Sequence, residues 1–231
     1  MTSNKKYKVG AIRERNSDRI LDAAEEEFVL HGYKGTSMQS IADRAELPKA
    51  NIHYYFKNKG NLYQVVLENT MREWNEVLAD ITEDSDPAEV LSNFIHVKMQ
   101  LSYTNPNASK IFAMEIIQGA PHLKRFISED MRVWVKEKSQ IITSWIDQGK
   151  MRAVDPTQLI FMIWATTQHY ADFNTQVLEV MNRREYDVDD IDNITNFLID
   201  MILTGCGLTP PPRKPRAALA VENTEDEMPT I

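Results

Sequence analysis

Residues 49–55, Lys-Ala-Asn-Ile-His-Tyr-Tyr, crowd a lysine, a small alanine, an asparagine, a histidine and two tyrosines into about two helical turns. Asn51 and His53 carry donors and acceptors suited to base edges. Ala50 leaves room for a thymine methyl, and Lys49, Tyr54 and Tyr55 suit phosphate oxygens. A helix of this kind reads the major groove of B-DNA when a second helix braces it across the backbone. The residues just before it supply one. Thr36 with Gln39 three positions on has the spacing of a capping box. Met38, Ile41, Ala42 and Ala45 then recur as one apolar face. A turn falls at Glu46-Leu47, Pro48 suits the first turn of the reading helix, and Ile52 and Phe56 face inward. Asn58-Lys59 opens a further helix whose free amides and lysine form another phosphate site. Taken singly, the same aromatics also fit a packed helical hairpin that touches no DNA.

A second group of residues suits a small planar ligand. On the segment after Pro156, Phe161, Trp164, Ala165, Gln168 and Asp172 share one helical face, and Met162, Thr166, His169 and Phe173 share its neighbour. One face is expected to line an internal cavity and the other to meet a partner subunit, since Trp, Met and Phe favour interfaces. The Gln168 amide offers both donor and acceptor, the complement of a cyclic amide or nucleobase edge. Gln168 and Asp172 would equally be satisfied by backbone groups or by each other.

The elements that hold these residues are all helical by periodicity, with no alternating strand pattern of useful length and no internal repeat. A first helix is expected from about Asn16 to Leu30, striped by Ile20, Ala24 and Phe28 and stopped by His31-Gly32. A long fourth helix from about Asn58 to Ile81 carries Tyr63, Leu67, Met71, Trp74, Leu78 and Ile81, and reads as a connecting rod. Asp86-Pro87 caps the next helix, to about Tyr103. Further helices are expected over Pro106 to Gln118, Leu123 to Gln148, Asp155-Pro156 to about Met181, and Val188 to Leu203. This divides the chain into a DNA-binding domain (1–60), a helical ligand-binding and dimerisation domain (61–208) and a tail (209–231). The tail, with Pro-Pro-Pro-Arg-Lys-Pro-Arg and an acidic end, lacks apolar periodicity and is expected to be disordered; a polyproline docking motif is the other reading.

Charge follows the same division. The net charge is −8, yet residues 1–60 carry 11 Lys and Arg against 8 Asp and Glu, and the remainder 15 against 26. Lys5, Lys6, Lys8, Arg13 and Arg15 precede the first helix, where they would follow a phosphate backbone or enter a minor groove, or else form a solvated terminus. The acidic remainder disfavours adhesion to nucleic acid. Cys206 is alone and the five histidines are scattered, so no disulfide, metal or cofactor is expected. No apolar run reaches the roughly 18 residues of a membrane span and no secretory signal is evident, which predicts a soluble, cytoplasmic protein.

From His31-Gly32-Tyr33 through Leu62-Tyr63 the chain resembles, in one register, the N-terminal signature of TetR-type repressors. The resemblance implies that Thr36, Gln39, Lys49, Ala50, Asn51, His53, Tyr54, Tyr55 and Lys59 stand at positions that touch DNA in that family. Two residues depart from it. Glu46 replaces the turn glycine and is expected to adopt a left-handed conformation, and Pro48 replaces a capping serine. Residues 108–121 and 155–173 resemble the ligand domain of TetR-type regulators of pyrimidine utilisation, which respond to uracil and thymine; this likeness runs over about 15–205. It implies a base pocket lined by Trp74, Trp164 and Gln168, with Met114, His169 and Asp172 as further candidates. Two indoles would sandwich the ring while Gln168 pairs with its amide edge. Gln118 and the stretch after Val177 differ, leaving another small hydrophobic or heterocyclic effector open. The implied protein is a homodimer that reads a palindromic double-stranded operator, with its reading helices about 34 Å apart. A helical enzyme using Asp172 or His169 as base is the contrasting reading; it lacks a nucleophile motif, a metal set and a cofactor loop. A TetR-like protein that no longer binds DNA is a third, hinted at only by Glu46 and Pro48.

Overall fold

The computed structural model describes residues 3–212, with side chains from residue 13 onward. The expectations for the side chains of Lys5, Lys6 and Lys8, and for residues 213–231 of the tail, lie outside the described residues. The helices are α1 (Ser3–Gly35), α2 (Met38–Arg44), α3 (Lys49–Phe56), α4 (Lys59–Glu76), α5 (Pro87–Thr104), α6 (Pro106–Ile117), α7 (Lys124–Phe126), α8 (Arg132–Asp147), α9 (Pro156–Asp172), α10 (Asn174–Met181) and α11 (Val188–Gly205). A π-helical turn, Ile127–Met131, joins α7 to α8. No strand occurs among the described residues.

The apolar stripe of α1 buries Ile20, Ala24 and Phe28 completely, and Gly32 breaks the helix at φ 66°. The helix begins at Ser3, well before Asn16. Its extra turns contain no proline and are rich in Lys, Arg and Glu, all good helix formers. Ile41 and Ala42 of α2, Ile52 and Phe56 of α3, and Leu62, Tyr63, Val66 and Leu67 of α4 close one core around that stripe; Ile111, Ala120 and Leu123 join it from later in the chain. A second core, centred on Phe94, Ile95, Met99, Trp145, Ile160, Ile163 and Leu203, binds α5, α8, α9 and α11. Helix α6 lies between them and packs on α1, α4 and α9.

Asp86, Asn105 and Asp155 each cap a helix that opens with proline, at α5, α6 and α9. Elsewhere three boundaries differ from expectation. Ser37, not Thr36, caps α2, in a reciprocal box with Ser40 instead of Gln39. Thr36 is turned inward, its hydroxyl 2.9 Å from both the Glu27 and Gly32 carbonyls, and is therefore spent on sealing α1. Helix α4 ends at Glu76, short of Ile81; turn bonds from Leu78 and Ala79 to Asn75 and Glu76 keep Leu78 buried, so its apolar rhythm outlasts the helix. The single helix expected to Met181 breaks at Phe173 (φ −114°, ψ 29°) into α9 and α10. Neither glycine nor proline marks that break, so periodicity runs through it.

Candidate DNA interface and effector site

Helix α3 shows one face to solvent and one to the core. Lys49, Ala50, His53 and Tyr54 are exposed, Asn51 and Tyr55 are half-buried, and Ile52 and Phe56 lie beneath. Tyr55 packs against the core, its ring edge-on to Tyr54 at 5.2 Å. Tyr54 is also met by the Arg13 guanidinium, 5.9 Å from the ring centroid, so α1 brings a cation beside the reading helix. His53 Nδ1 lies 2.8 Å from the Lys57 carbonyl. A carbonyl only accepts, so Nδ1 donates; in the neutral ring Nε2 is left as an outward acceptor.

The turn before α3 costs conformational strain. Glu46 has φ 51°, the left-handed region expected for it. Arg19 braces it by donating to the Ala45 carbonyl at 2.7 Å, with its guanidinium 3.7 Å from the Glu46 carboxylate. Pro48 starts α3 without a side-chain cap. Arg44 ties α2 to α1 through Glu26 (2.6 Å) and Glu27 (2.7 Å). Burial opposes the Glu27 charge, but the Arg44 hydrogen bond outweighs it and holds the carboxyl below the usual range.

The remaining expected DNA residues differ in what is left free. Thr36 is buried and has no surface for phosphate. Gln39 is exposed, its amide donating to Asp43 at 2.7 Å. Lys59 donates to the Tyr33 and Thr36 carbonyls at 2.7 and 2.8 Å and lies 4.6 Å over the Tyr33 ring. An ammonium has three protons, so one remains for a phosphate. Asn58 caps α4 by accepting from the Asn61 amide.

Deeper in the molecule, four helices converge on a lysine. Lys98 of α5 is 1% exposed, and its Nζ sits 3.5 Å from the centroid of the Trp74 indole of α4. Among the described residues it makes no ion pair or hydrogen bond. Phe112 of α6 stands edge-on to Trp74 at 5.1 Å. Asp172, at the end of α9, accepts from the Ser109 hydroxyl of α6 at 2.6 Å and is close enough for its charge to act on Lys98. Burial drives the Lys98 ammonium from its ordinary value down to about 7, with Asp172 pulling the other way. Burial likewise pushes the Asp172 carboxyl up, against the Ser109 hydrogen bond and the Lys98 charge.

The expected pocket residues are not all brought together. Trp74 and Asp172 belong to the Lys98 cluster. Gln168, half-buried one turn before Asp172 on α9, makes no hydrogen bond among the described residues. The Trp164 indole stacks on Trp134 at 6.0 Å and meets Phe161 at 5.6 Å, so the two indoles expected to sandwich a ring keep separate partners. His169 is exposed and stacks on Phe173 at 5.3 Å. Met114 packs against the first core. A cleft of about 630 Å³ opens further along α5, with Ser102, Tyr103, Tyr170, Asn174 and Tyr186 among its walls; none of the six expected residues lines it.

Lys98, Ser109 and Phe112 escaped sequence reasoning. The signal for Lys98 was present: Leu91, Ile95, Lys98 and Ser102 follow at helical spacing and all are buried, which places a lysine inside an apolar stripe.

Residues 20–66 match the profile of bacterial regulatory proteins of the tetR family, and residues 67–209 match that of the YcdC-like protein C-terminal region. The chain belongs to the TetR family. It is 37% identical to the HTH-type transcriptional regulator RutR of Escherichia coli (strain K12), over 79% of this chain and 88% of that protein. It is 25% identical to the fatty acid metabolism regulator protein of Bacillus subtilis (strain 168), over 81% of this chain and 93% of that one. Among solved structures, a tetR-family regulatory protein from Rhodococcus RHA1 superposes with a TM-score of 0.67 at 17% identity, covering 84% of this chain and 98% of that one. AibR in complex with isovaleryl coenzyme A and operator DNA gives 0.61 at 21% identity, covering 85% and 99%. These structural likenesses concern the fold. The chain is a ligand-responsive, RutR-like transcriptional regulator of the TetR type.

In this TetR-family fold α6 joins the two regions. Ser109 and Phe112 face the Lys98 cluster, and Glu115, one turn on, enters the first core at 2% exposure. Its carboxylate accepts from the Tyr63 hydroxyl at 3.2 Å and from the His122 backbone N–H, with His122 Nδ1 at 3.2 Å. The His122 ring packs on Tyr33 (4.3 Å) and Tyr63 (5.0 Å). Burial and the Glu115 charge push the Tyr63 hydroxyl well above its usual value. Tyr33 in turn holds Lys59, so one run of packed polar contacts leads from the buried lysine to the helix-turn-helix unit.

Proposed function

We propose that this protein is a cytoplasmic homodimer that grips a palindromic operator through α3 and adjusts that grip when a pyrimidine base, uracil or thymine, enters beside Trp74 and Gln168. The observation that carries the reading is the junction of α4, α5, α6 and α9 at Trp74, Lys98, Ser109 and Asp172. It offers a flat indole and unspent polar groups in dry surroundings, on the same helix that contacts the DNA-binding unit. The 37% identity to RutR and the likeness of residues 108–121 and 155–173 to pyrimidine-utilisation regulators support this choice of effector.

DNA contact is assigned to Lys49, Ala50, Asn51, His53 and Tyr54, with Gln39, Tyr55 and the third proton of Lys59 at the margins. Thr36 is assigned the shaping of the α1–α2 turn, its hydroxyl being committed there. Ligand entry shifts α4 and α6 relative to the first core, and the Glu115–Tyr63–His122 contacts carry that shift to the reading helices. The dimer forms on the faces of α9 and α11 that leave Phe161, Met162, Phe173, Phe197 and Met201 exposed. A mobility shift on DNA upstream of the protein's own gene, titrated with uracil and thymine and run beside Gln168→Leu, tests the assignment.

A further inference from the structure

Burying an ammonium without a paired anion is costly, and folds retain such a group where it is used. Lys98 is in that position: almost wholly enclosed, lying over an indole, and forming no ion pair or hydrogen bond among the described residues. The Asp172 carboxylate spends one oxygen on the Ser109 hydroxyl, and the other oxygen forms no hydrogen bond within the protein. A donor and an acceptor thus lie within one dry cluster, in electrostatic contact but without bonding each other. Their complement is a group with an acceptor and a donor side by side, namely a ring carbonyl next to a ring N–H. Gln168 satisfies the same pattern from one turn away on α9, but its amide is neutral, and hydrogen bonds to charged groups are the stronger kind.

We propose that Lys98 and Asp172 are the residues that read the polar edge of the effector, the Lys98 ammonium donating to a ring carbonyl and the Asp172 carboxylate accepting from the adjacent ring N–H. The site then selects planar cyclic amides and imides, with Gln168 as a supporting contact. This rests on the effector site proposed above, and sharpens it from a pocket for a base to a pocket for a C=O/N–H edge.

The test is calorimetry on the full-length dimer with uracil, thymine, 1,3-dimethyluracil and two non-pyrimidine cyclic amides, hydantoin and 2-pyridone, together with Lys98→Met and thermal melting. In the wild type, uracil should bind about ten- to a hundredfold more tightly than 1,3-dimethyluracil, whose edge cannot donate. Lys98→Met should lose affinity for uracil by a similar factor and yet melt at a higher temperature, because a buried unpaired charge has been replaced by an apolar chain of like length. Equal binding of uracil and its dimethyl derivative overturns the proposal, and that comparison does not depend on any variant folding. A Lys98→Met protein that binds uracil as wild type does, or that melts lower, also overturns it. If neither pyrimidine binds but hydantoin or 2-pyridone does, with the same loss in Lys98→Met, the edge reading stands and the pyrimidine reading fails. If no member of the set binds, both fail.

Discussion

Glu46 shows how a single residue carries strain that the sequence already announces. It occupies the left-handed region at φ 51° in the turn between α2 and α3. Replacing it with glycine removes about 1–2 kcal/mol of steric cost and adds about 0.5–1 kcal/mol of unfolded-chain entropy. The exposed contact to Arg19 contributes little in solvent. Glu46→Gly should therefore stabilise the protein by up to about 1 kcal/mol, and a melting curve that falls instead would show that the turn needs its glutamate. Lys98 makes the opposite case, since nothing about a lone lysine announces burial until its neighbours on α5 are counted. Its ammonium ionises near 7 in the fold against an ordinary value of 10.5, so the unfolded chain holds that proton more tightly. Stability then rises with pH across that interval, the penalty being full below about 7 and gone above about 10.5. The advantage of Lys98→Met over wild type should accordingly be largest at neutral pH and shrink toward pH 10. Chemical denaturation at a series of pH values would measure it, and an advantage constant with pH would contradict the burial.

At the scale of the element, helix positions were legible because local chemistry and periodicity agreed. Asp86-Pro87, Asn105-Pro106 and Asp155-Pro156 each cap a helix, and Gly32 breaks one. Legibility failed where a boundary depended on packing at a distance. Thr36 lost the capping role to Ser37 because its hydroxyl is drawn to Glu27, nine residues away. The break at Phe173 separates α9 from α10 with no local breaker to signal it. The pocket fared similarly. Trp74 and Asp172 were recoverable, whereas the departure of Trp164 to Trp134 depends on where α8 lies. For α3, division of labour along one helix predicts distinct phenotypes. Tyr54→Ala should weaken DNA binding for every sequence and lower its salt dependence, because phosphate contacts position the helix; Asn51→Ala and His53→Ala should also blur the base preference. Binding titrations at several salt concentrations against matched and mismatched sites distinguish these, and unchanged affinity in all three variants would remove α3 from the interface.

For the whole molecule, the decisive property is that two helical cores share α6 and that α9 and α11 leave an apolar face uncovered. Phe161, Met162, Phe173, Phe197 and Met201 stay exposed on a chain whose other large side chains are mostly enclosed, the condition expected of a subunit interface. An arginine in place of Phe173 puts an unpaired charge into that face. Sedimentation should then show monomers, and operator affinity should collapse, since one reading helix supplies too few contacts alone. Dimers that persist in Phe173→Arg would place the interface elsewhere.

Coupling between effector and operator requires that ligand bind the two arrangements of α4 and α6 unequally; a ligand that favours neither changes nothing, however tightly it binds. The most direct measurement is therefore a mobility shift with DNA from upstream of the protein's own gene, titrated with uracil and with thymine, for wild type and Gln168→Leu. Wild type should bind the fragment and change its apparent affinity with at least one base. Gln168→Leu should need about ten- to a hundredfold more base for the same change, having lost one hydrogen-bonding contact in a dry pocket. A wild-type complex indifferent to both bases would contradict the pyrimidine assignment, and a Gln168→Leu response identical to wild type would put the effector somewhere other than beside Trp74.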